Sequence, residues 1–454
     1  MSDPTFWSLL PPVAAIALAI RTRQVALSLA VGILLGAVLQ AGGHPLWGLA
    51  GGVEAVVQVF TAGDQVRLVL FALLIGPLVR MLQEFGGVAG FVGILERHRI
   101  VSSARGARLL AWGIGLVLFI ETNITLLVTG AVCRPLFDRH GESRERLAYL
   151  ADSTSAPVCI LIPFNAWGAL ILGLLSAQGI AQPIAVFALA VPLNFYALAA
   201  VLLAGFTAWS GWAPGPMGRA RPRAPEPAAA AATGAEGHAL DMLLPLMVLL
   251  GAMPVGLWIT GGGVLAAGSG STSALWAVLL GNITAAGLVL LRRRHSLAAV
   301  MKAFTAGLES FVGMVAILVL AMALGQVCDS LGTGVYVTGL LQGVGSPVLL
   351  LPLTYLVGAL VAFATGTSWG TFAIMIPIAV AAAGGLDLPV APFVAAVLSG
   401  GIFGDHASPI SDTTVVASLA SGSGVIEHVR TQLPYALLAG TVALAAFAVT
   451  GLFL

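Results

Sequence analysis

Residues 390–418 read VAPFVAAVLSGGIFGDHASPISDTTVVAS and place two aspartates inside a long apolar segment. The interruption, GDHASPISDTT at 404–414, also holds serines, threonines and Pro409. Proline cannot continue a regular helix without the loss of a backbone hydrogen bond. In a membrane, irregular backbone is tolerated only where protein or a water-filled cavity covers it. This stretch therefore predicts a discontinuous helix with a polar site at its break.

The composition of the whole chain indicates an all-α polytopic membrane protein. Of its 454 residues, 59% are apolar and only 9% are charged, against roughly 25% charged in soluble domains. Uncharged stretches such as 25–42, 242–260 and 435–454 are long enough to cross a hydrocarbon core of about 30 Å. The formal charge of +1 gives no reason to expect nucleic acid, so the lipid bilayer is the expected surroundings.

The distribution of arginines predicts that the two halves of the chain have opposite orientations. Short loops rich in Lys and Arg mark the cytoplasmic side of a membrane. RARPR (219–223) in the middle of the chain and RRR (292–294) after it both belong on that side. RTR (21–23), which joins the first two apolar segments, belongs there too. The same helix pair therefore occurs twice with opposite orientation, which is typical of inverted repeats.

Three pairs of similar positions support this division. QEFG (83–86) resembles CDSLG (328–332), and ADSTSAP (151–157) resembles GDHASP (404–409). The spacing is 329 − 84 = 245 for Glu84 and Asp329, 363 − 119 = 244 for Phe119 and Phe363, and 405 − 152 = 253 for Asp152 and Asp405.

Two further segments are predicted to be re-entrant helical hairpins. Segment 109–133 has arginines before and after it and a polar middle, ETNIT (121–125). Arms of about 12 residues reach roughly 18 Å, which brings the tip to about mid-membrane. The counterpart, 347–380, has the polar tip ATGTSWGT (364–371), and no Lys or Arg occurs between 303 and 429. We expect the two hairpins to enter from opposite faces and to meet near the centre.

A second broken helix is predicted at 147–176, interrupted by DSTSAP (152–157) and followed by PFN (163–165). The predicted first repeat consists of scaffold helices (1–62) and transport elements (63–210), the latter with hairpin 109–133 and broken helix 147–176. A cytoplasmic linker (211–240) follows. The predicted second repeat consists of scaffold helices (241–296) and transport elements (297–454), the latter with hairpin 347–380 and broken helix 390–418.

The acidic residues at the breaks point to ion binding. An ionised Asp at the centre of a membrane helix costs roughly 2.5–3.5 kcal/mol, which a bound cation or proton removes. Oxygen ligands suit a hard cation such as Na⁺, and Na⁺ and H⁺ would compete for one carboxylate. The predicted cation and proton site comprises Asp405, Asp412, Ser408, Ser411 and Thr413. The symmetry-related site comprises Asp152, Ser153, Glu121 and Asn123.

Structural roles are the alternatives for these residues. Asp412 could cap a helix that restarts at Thr413, and Asp152 could cap a half-helix. No second His or Cys lies near His406 in sequence, so a hydrogen bond or a lining position is expected there rather than a transition-metal ligand. A Ser/His/Asp hydrolase is disfavoured because the candidates are neighbours in sequence and no nucleophile elbow is present.

Three strings resemble motifs of one family. FGDHASPISDTTVVAS (403–418) resembles the signature of the NhaC-type Na⁺/H⁺ antiporter family, and GAVCRPLFDRHGESRERL (130–147) and SRERLAYLADSTSAPV (143–158) resemble its first-half motif. The resemblance implies an elevator-type secondary transporter of the inner (plasma) membrane, a homodimer, without a cofactor, and with Na⁺ as the transported or coupling ion. Members of the family exchange Na⁺ and H⁺, and some couple these ions to malate or lactate.

The tip of the first hairpin departs from this family's pattern. Its members usually carry a string resembling DDYxN, whereas FIETN (119–123) has one acid, Glu121, and retains Asn123. The departure leaves open the ion stoichiometry and whether Na⁺ is the only substrate. Antiport of Na⁺ and H⁺ is therefore the first hypothesis. The alternative is Na⁺- or H⁺-coupled transport of a small organic acid or amino acid, whose carboxylate would bind helix N-termini with Thr365, Ser368 and Asn165.

Overall fold

The computed structural model describes residues 6–22, 24–91, 103–119, 121–222, 237–264, 268–292, 295–333, 336 and 347–454. Within these ranges the regular secondary structure is helical throughout. Eight of the described helices are long and apolar enough to cross a membrane, or nine if the pair Pro183–Leu193 and Phe195–Ser210, bent by 47°, is one span. The prediction of an all-α polytopic membrane protein is therefore confirmed.

The helices of the first half, in chain order, are α1 (Leu10–Thr22), α2 (Val25–Gln40), α3 (Pro45–Val59), α4 (Gly63–Glu84), α5 (Ala104–Val117), α6 (Thr122–Arg139), α7 (Arg144–Cys159), α8 (Ala166–Ala177), α9 (Pro183–Ala190) and α10 (Phe195–Ser210). The second half, in chain order, contains α11 (Pro216–Arg219), α12 (Leu240–Thr260), α13 (Gly270–Leu291), α14 (Leu297–Ser330), α15 (Pro347–Thr365), α16 (Ser368–Gly385), α17 (Val390–Ala407), α18 (Asp412–Ser421) and α19 (Val425–Gly451).

Four of the arginines that predict the orientation lie outside the described residues: Arg23, Arg223, Arg293 and Arg294. The predicted linker 211–240 is described only at 211–222 and 237–240.

The same series of elements occurs in both halves: a long helix, a helical hairpin and an interrupted helix. The first hairpin is α5–α6 and the second is α15–α16, while the first broken helix is α7–α8 and the second is α17–α18. Thr122 and Ser368, which begin α6 and α16, are 368 − 122 = 246 positions apart, and so are Ala166 and Asp412 (412 − 166), which begin α8 and α18. The order of elements is thus repeated at one constant spacing.

This spacing corrects the pairing of Asp152 with Asp405. Asp152 lies near the middle of α7, whereas Asp405 lies two residues before the end of α17. The two aspartates, 405 − 152 = 253 positions apart, therefore do not occupy equivalent places in the two broken helices.

The first break also lies later than predicted. The string DSTSAP (152–157) is part of α7, and the helix is interrupted at 160–165 instead. Pro157 removes a single hydrogen bond, to the carbonyl four residues earlier, and lies two residues before the helix end, so α7 tolerates it. In the second broken helix the interruption is 408–411, which contains Pro409 and lies within the predicted 404–414.

The hairpins extend beyond the predicted segments. The first runs from Ala104 to Arg139 with its tip between Val117 and Thr122, and the second runs from Pro347 to Gly385 with its tip at 366–367. The predicted first tip, 121–125, is therefore too late, because α6 already begins at Thr122. Within each hairpin the two helices pack against each other. Gly366 has φ of +70° in the two-residue tip, a conformation that glycine adopts without a steric cost.

The hairpins of the two halves are interleaved. Helix α6 of the first hairpin packs on α18, and α16 of the second hairpin packs on α8. The first contact is close, because a Cβ atom added to Gly130 would lie 2.4 Å from the carbonyl oxygen of Ala420. Each hairpin is therefore held by the broken helix of the other half.

A network of ion pairs ties the base of the first hairpin to α7 and α10. Glu142 bonds Arg108 and also Arg146, the latter at 2.7 Å. Arg108 donates from Nε to the carbonyl of Ala208 at 2.9 Å, and Arg146 donates to the carbonyl of Gly211 at 3.2 Å. Arg108, one of the arginines that flank the predicted hairpin, thus ties its first helix to α10 and to Glu142.

The outer surfaces of several helices carry large apolar side chains. Leu46, Trp47, Leu202, Met247 and Ile283 are 65–73% exposed. Apolar surface of this extent is unfavourable in water and suits contact with lipid, as in a multi-pass membrane protein.

Helices α4 and α14 cross closely at Gly76 and Gly307, which gives a stability prediction. A Cβ atom on Gly307 would lie 2.4 Å from Cα of Pro77, whereas one on Gly313 of the same helix would have no atom within 4 Å. We expect Gly307→Ala to lower the free energy of unfolding by about 1–3 kcal/mol through overpacking. Gly313→Ala should leave it unchanged or raise it, because alanine favours the helix. Titration of the purified protein with SDS measures both, and equal values for the two variants would contradict the close crossing.

Candidate functional site

The tips of both hairpins meet at a cavity of about 330 Å³, here called the central cavity. Glu121, Thr122 and Asn123 line it from the first hairpin, and Thr367 and Trp369 from the second. The broken helices contribute their restarting turns, Ala166–Trp167 and Asp412–Thr413. The remaining wall is Ser310, Phe311, Met314 and Ile317, near the middle of α14.

The four helices that begin at this site are each capped by a polar side chain. Glu121 accepts from the backbone N–H of Ile124 at 2.8 Å, and Asn165 accepts from Gly168 at 3.1 Å. Thr367 and Ser411 accept in the same way at 3.5 Å from Gly370 and Thr414. These caps satisfy N–H groups that would otherwise be unpaired away from water.

Two tryptophans join the first broken helix to the second hairpin. The ring centroids of Trp167 and Trp369 are 4.9 Å apart. Trp167 is 2% exposed and donates from Nε1 to the hydroxyl of Thr122 at 3.1 Å. The indole pair therefore fixes one wall of the central cavity.

Asp405 lies behind this cavity among hydroxyl groups. Its Oδ2 accepts from Ser368 Oγ at 3.1 Å and from Thr413 Oγ1 at 3.5 Å. The Oγ of Ser411 lies 2.9 Å from that of Thr413. Asp405 is 2% exposed, and no described residue forms a hydrogen bond with its Oδ1. A buried carboxylate with a free oxygen and nearby hydroxyls has the donor atoms that a hard cation prefers.

Asp412 differs from Asp405 because it is exposed and lines the central cavity. It is the first residue of α18, and its Oδ1 accepts from the backbone N–H of Thr413 at 2.9 Å. The N-cap of this helix is Ser411. The alternative in which Asp412 caps a helix that restarts at Thr413 is therefore wrong by one residue.

The residues predicted for the first-half site are divided between two places. Glu121 and Asn123 line the central cavity, where Asn123 Nδ2 donates to Glu121 Oε1 at 2.9 Å. Asp152 and Ser153 lie inside α7 and do not line the cavity. The interpretation of Asp152 as a cap is wrong, because it occupies the interior of a continuous helix.

Asp152 belongs instead to a fully buried polar cluster that joins α7, α17 and α19. Its Oδ2 accepts from Gln432 Nε2 at 2.8 Å and lies 3.2 Å from His428 Nε2 and 3.6 Å from His406 Nε2. His406 Nδ1 lies 2.9 Å from the hydroxyl of Tyr196, so the hydrogen bond predicted for His406 is confirmed.

Sequence reasoning missed three members of this cluster, Tyr196, His428 and Gln432. One signal was available, because His428 and Gln432 are spaced four apart in α19 and so share one face of the helix. In the part of the chain that is described, no group of three or more His, Cys, Asp or Glu side chains is arranged to hold a metal ion.

Three other candidate residues lie near the site and do not line the cavity, and two of them connect different elements. Ser408 donates to the carbonyl of Phe363 at 2.8 Å, which ties the second break to α15. Asn165 donates to the carbonyls of Phe119 and Cys159, both at 2.8 Å. Thr365 donates to the carbonyl of Val361 within its own helix.

Helical hairpins and interrupted helices that enclose a polar cavity in a bundle of apolar helices define a secondary transporter. The chain belongs to the Na⁺/H⁺ antiporter family, because a model of that family matches residues 158–452. The resemblance found in the sequence is thereby confirmed.

Three relatives are similar in sequence. An uncharacterised protein of Haemophilus influenzae is 34% identical over 477 positions, covering 98% of this chain and 91% of that protein. The arginine/ornithine antiporter ArcD of Halobacterium salinarum is 38% identical over 107 residues, which cover 24% of this chain and 22% of that protein. A malate-2H⁺/Na⁺-lactate antiporter of Bacillus subtilis is 38% identical over 105 residues, covering 23% and 22%.

One solved structure shows the same fold. The YdaH transporter of Alcanivorax borkumensis aligns with a TM-score of 0.62 over 88% of each chain, at 15% sequence identity. At this identity the likeness concerns the fold alone.

The buried cluster around Asp152 gives a second stability prediction. Asp152→Ala removes the partner of the buried His428 and one of the two acceptors of Gln432, which keeps its bond to the carbonyl of His406. We expect a loss of about 3–5 kcal/mol in the free energy of unfolding, as for other broken buried pairs. Asp152→Asn keeps an acceptor oxygen and should lose clearly less. SDS titration distinguishes the two variants, and a wild-type value for Asp152→Ala would show that the cluster does not stabilise the fold.

Proposed function

We propose that this transporter exchanges Na⁺ for H⁺, with Asp405 as the carboxylate for which the two ions compete. The observation that carries the proposal is the surroundings of Asp405: one oxygen is buried without a hydrogen-bond partner, and the other faces two hydroxyls. An ionised carboxylate in this position is costly to bury. A bound Na⁺ or a proton removes that cost, and each excludes the other.

In this proposal Na⁺ is cargo, held by oxygen atoms from both second-half transport elements. Asp405 and Asp412 supply the negative charge, and Ser368, Ser411 and Thr413 supply hydroxyl oxygens. Ser368 belongs to the second hairpin, whereas the other residues belong to the second broken helix. Binding would therefore draw these two elements together.

The exchange would proceed by alternating access of an elevator type in the inner (plasma) membrane. The repeated series of elements at a spacing of 246 (368 − 122) supports two structural repeats, and the arginine pattern supports their opposite orientation with a cytoplasmic linker at 211–240. Movement of hairpins and broken helices together would carry the ion between the two faces. A homodimer and a first-half ion site that involves Glu121 and Asn123 remain predictions.

Coupled transport of an organic solute is the second candidate function. The central cavity, at about 330 Å³, is far larger than one Na⁺ ion and lies in the range of small-molecule sites, roughly 300–1,000 Å³. Two relatives with local similarity are named as antiporters of arginine and ornithine and of malate and lactate. The side chains of Thr365, Ser368 and Asn165, which the sequence suggested as ligands of a carboxylate, do not line this cavity, so in this candidate the solute contacts the lining residues instead.

Proteoliposomes with an acidic interior and an internal pH dye test the first candidate. If Na⁺ and H⁺ exchange, external Na⁺ alone should raise the internal pH, because each Na⁺ that enters displaces a proton. The same concentration of K⁺ is the control for ionic strength. The absence of proton movement on addition of Na⁺, in vesicles that hold an imposed gradient, would exclude simple Na⁺/H⁺ exchange.

The role of Asp405 is tested by its neutral isostere. Asp405→Asn should reduce the rate of Na⁺-driven proton movement at least about tenfold, since a charged contact is worth roughly 1.5–3 kcal/mol. The matched control is Asp387→Asn in the exposed loop between α16 and α17. Its φ of +54° is one that asparagine also adopts. Equal rates for Asp405→Asn and the control would remove Asp405 from the ion site.

A further inference from the structure

The walls of the central cavity carry negative charge and aromatic surface. Glu121 and Asp412 face it from different halves of the chain, and Trp167 and Trp369 form an indole pair beside them. None of the described residues that line it is Lys, Arg or His. A dicarboxylate in this cavity would face the two carboxylates of the protein, and the described lining residues include no cationic side chain that would offset the repulsion.

A helix N-terminus has a partial positive charge of about +0.5, which would attract an anion and offset its repulsion by the two carboxylates. At two of the four helix N-termini of this site, a carboxylate of the protein already lies at the positive end. Glu121 caps α6, and Asp412 occupies the first position of α18. The other two, α8 and α16, are capped by Asn165 and Thr367. Two of the four positive ends therefore already offset acidic groups of the protein, which reduces the attraction of the site for an anionic solute.

The same walls suit an organic cation. Carboxylates form strong hydrogen bonds with ammonium groups, and the face of an indole attracts a cation within about 6 Å of its centroid. Trp369 is partly exposed, whereas Trp167 is buried. The indole of Trp369 is therefore the accessible aromatic surface of the pair, and it lines the same cavity as Asp412.

We propose that the central cavity binds a small organic solute through an ammonium group, which lies between the carboxylates of Glu121 and Asp412 and against the indole of Trp369. This inference rests on the second candidate function, transport of an organic solute, and assigns the chemical class of that solute. Because Glu121 belongs to the first hairpin and Asp412 to the second broken helix, one bound solute contacts transport elements of both halves.

Two probes with the same four-carbon length and opposite charge test the proposal. The binding of radiolabelled 1,4-diaminobutane and of radiolabelled succinate to the purified full-length protein is measured by equilibrium dialysis at low Na⁺. We expect saturable binding of the diamine and at least about tenfold weaker binding of succinate. Equal or tighter binding of succinate, or the absence of saturable diamine binding, would overturn the proposal.

Substitutions locate the binding. Asp412→Asn and Glu121→Gln should each weaken diamine binding about tenfold or more, and Trp369→Leu should weaken it several-fold through loss of the cation–π contact. The control Asp387→Asn should bind the diamine as the wild type does. A thermal melt of each variant identifies loss of fold, and three variants on different elements keep the test valid if one fails to fold. Wild-type diamine binding in all three folded variants would place the ligand elsewhere and overturn the assignment.

The proton assay separates this inference from ion exchange. Vesicles in which Na⁺ alone moves protons, but whose protein binds no diamine, would support Na⁺/H⁺ exchange and reject the ammonium site. Protein that binds the diamine, and moves protons only when the diamine is added, would reject simple Na⁺/H⁺ exchange and support the ammonium site.

Discussion

The whole site depends on one constraint: a helix that stops and restarts inside an apolar bundle must satisfy its free backbone N–H groups without bulk water. Each unsatisfied group in such surroundings costs several kcal/mol. Four helices restart near the central cavity, and each is capped by a polar side chain. The caps are Glu121, Asn165, Thr367 and Ser411. Because the hairpins and broken helices of the two halves are interleaved, these local solutions gather the polar groups into one region.

The acidic residues of the chain have different surroundings, and these surroundings decide what each can do. Asp405 is enclosed by hydroxyls and has a free oxygen, which suits a small cation or a proton. Asp412 and Glu121 line a cavity of about 330 Å³, which is large enough for a small organic solute. Asp152 is held by a histidine and a glutamine of α19 and connects helices that are far apart in sequence. The surroundings of Asp405, of the cavity-lining acids and of Asp152 thus differ within a single bundle, and Asp412 belongs to both of the proposed binding sites.

The positions of the breaks show how far sequence patterns reach. Pro409, between two polar runs, correctly indicated the second break, because residues on both sides of it favour termination of the helix. The string DSTSAP at 152–157 has similar composition, yet α7 continues through it. Its aspartate is stabilised by His428 and Gln432, which lie 276 and 280 residues further along the chain. A local pattern contains no information about such partners, so the first break was assigned too early and Asp152 was assigned to the wrong site.

The sequence by itself determined the class of protein, the presence of two similar halves, the tip of the second hairpin, and Asp405 and Asp412 as the acids at the second break. These features follow from composition and from local backbone chemistry, which act over a few residues. Only the tertiary structure decided that Glu121 and Asp412 face one cavity, that Trp167 lies against Trp369, and that Asp152 pairs with α19. Those relations depend on which helix faces meet, and helix packing is set by the shapes of surfaces that are distant in sequence.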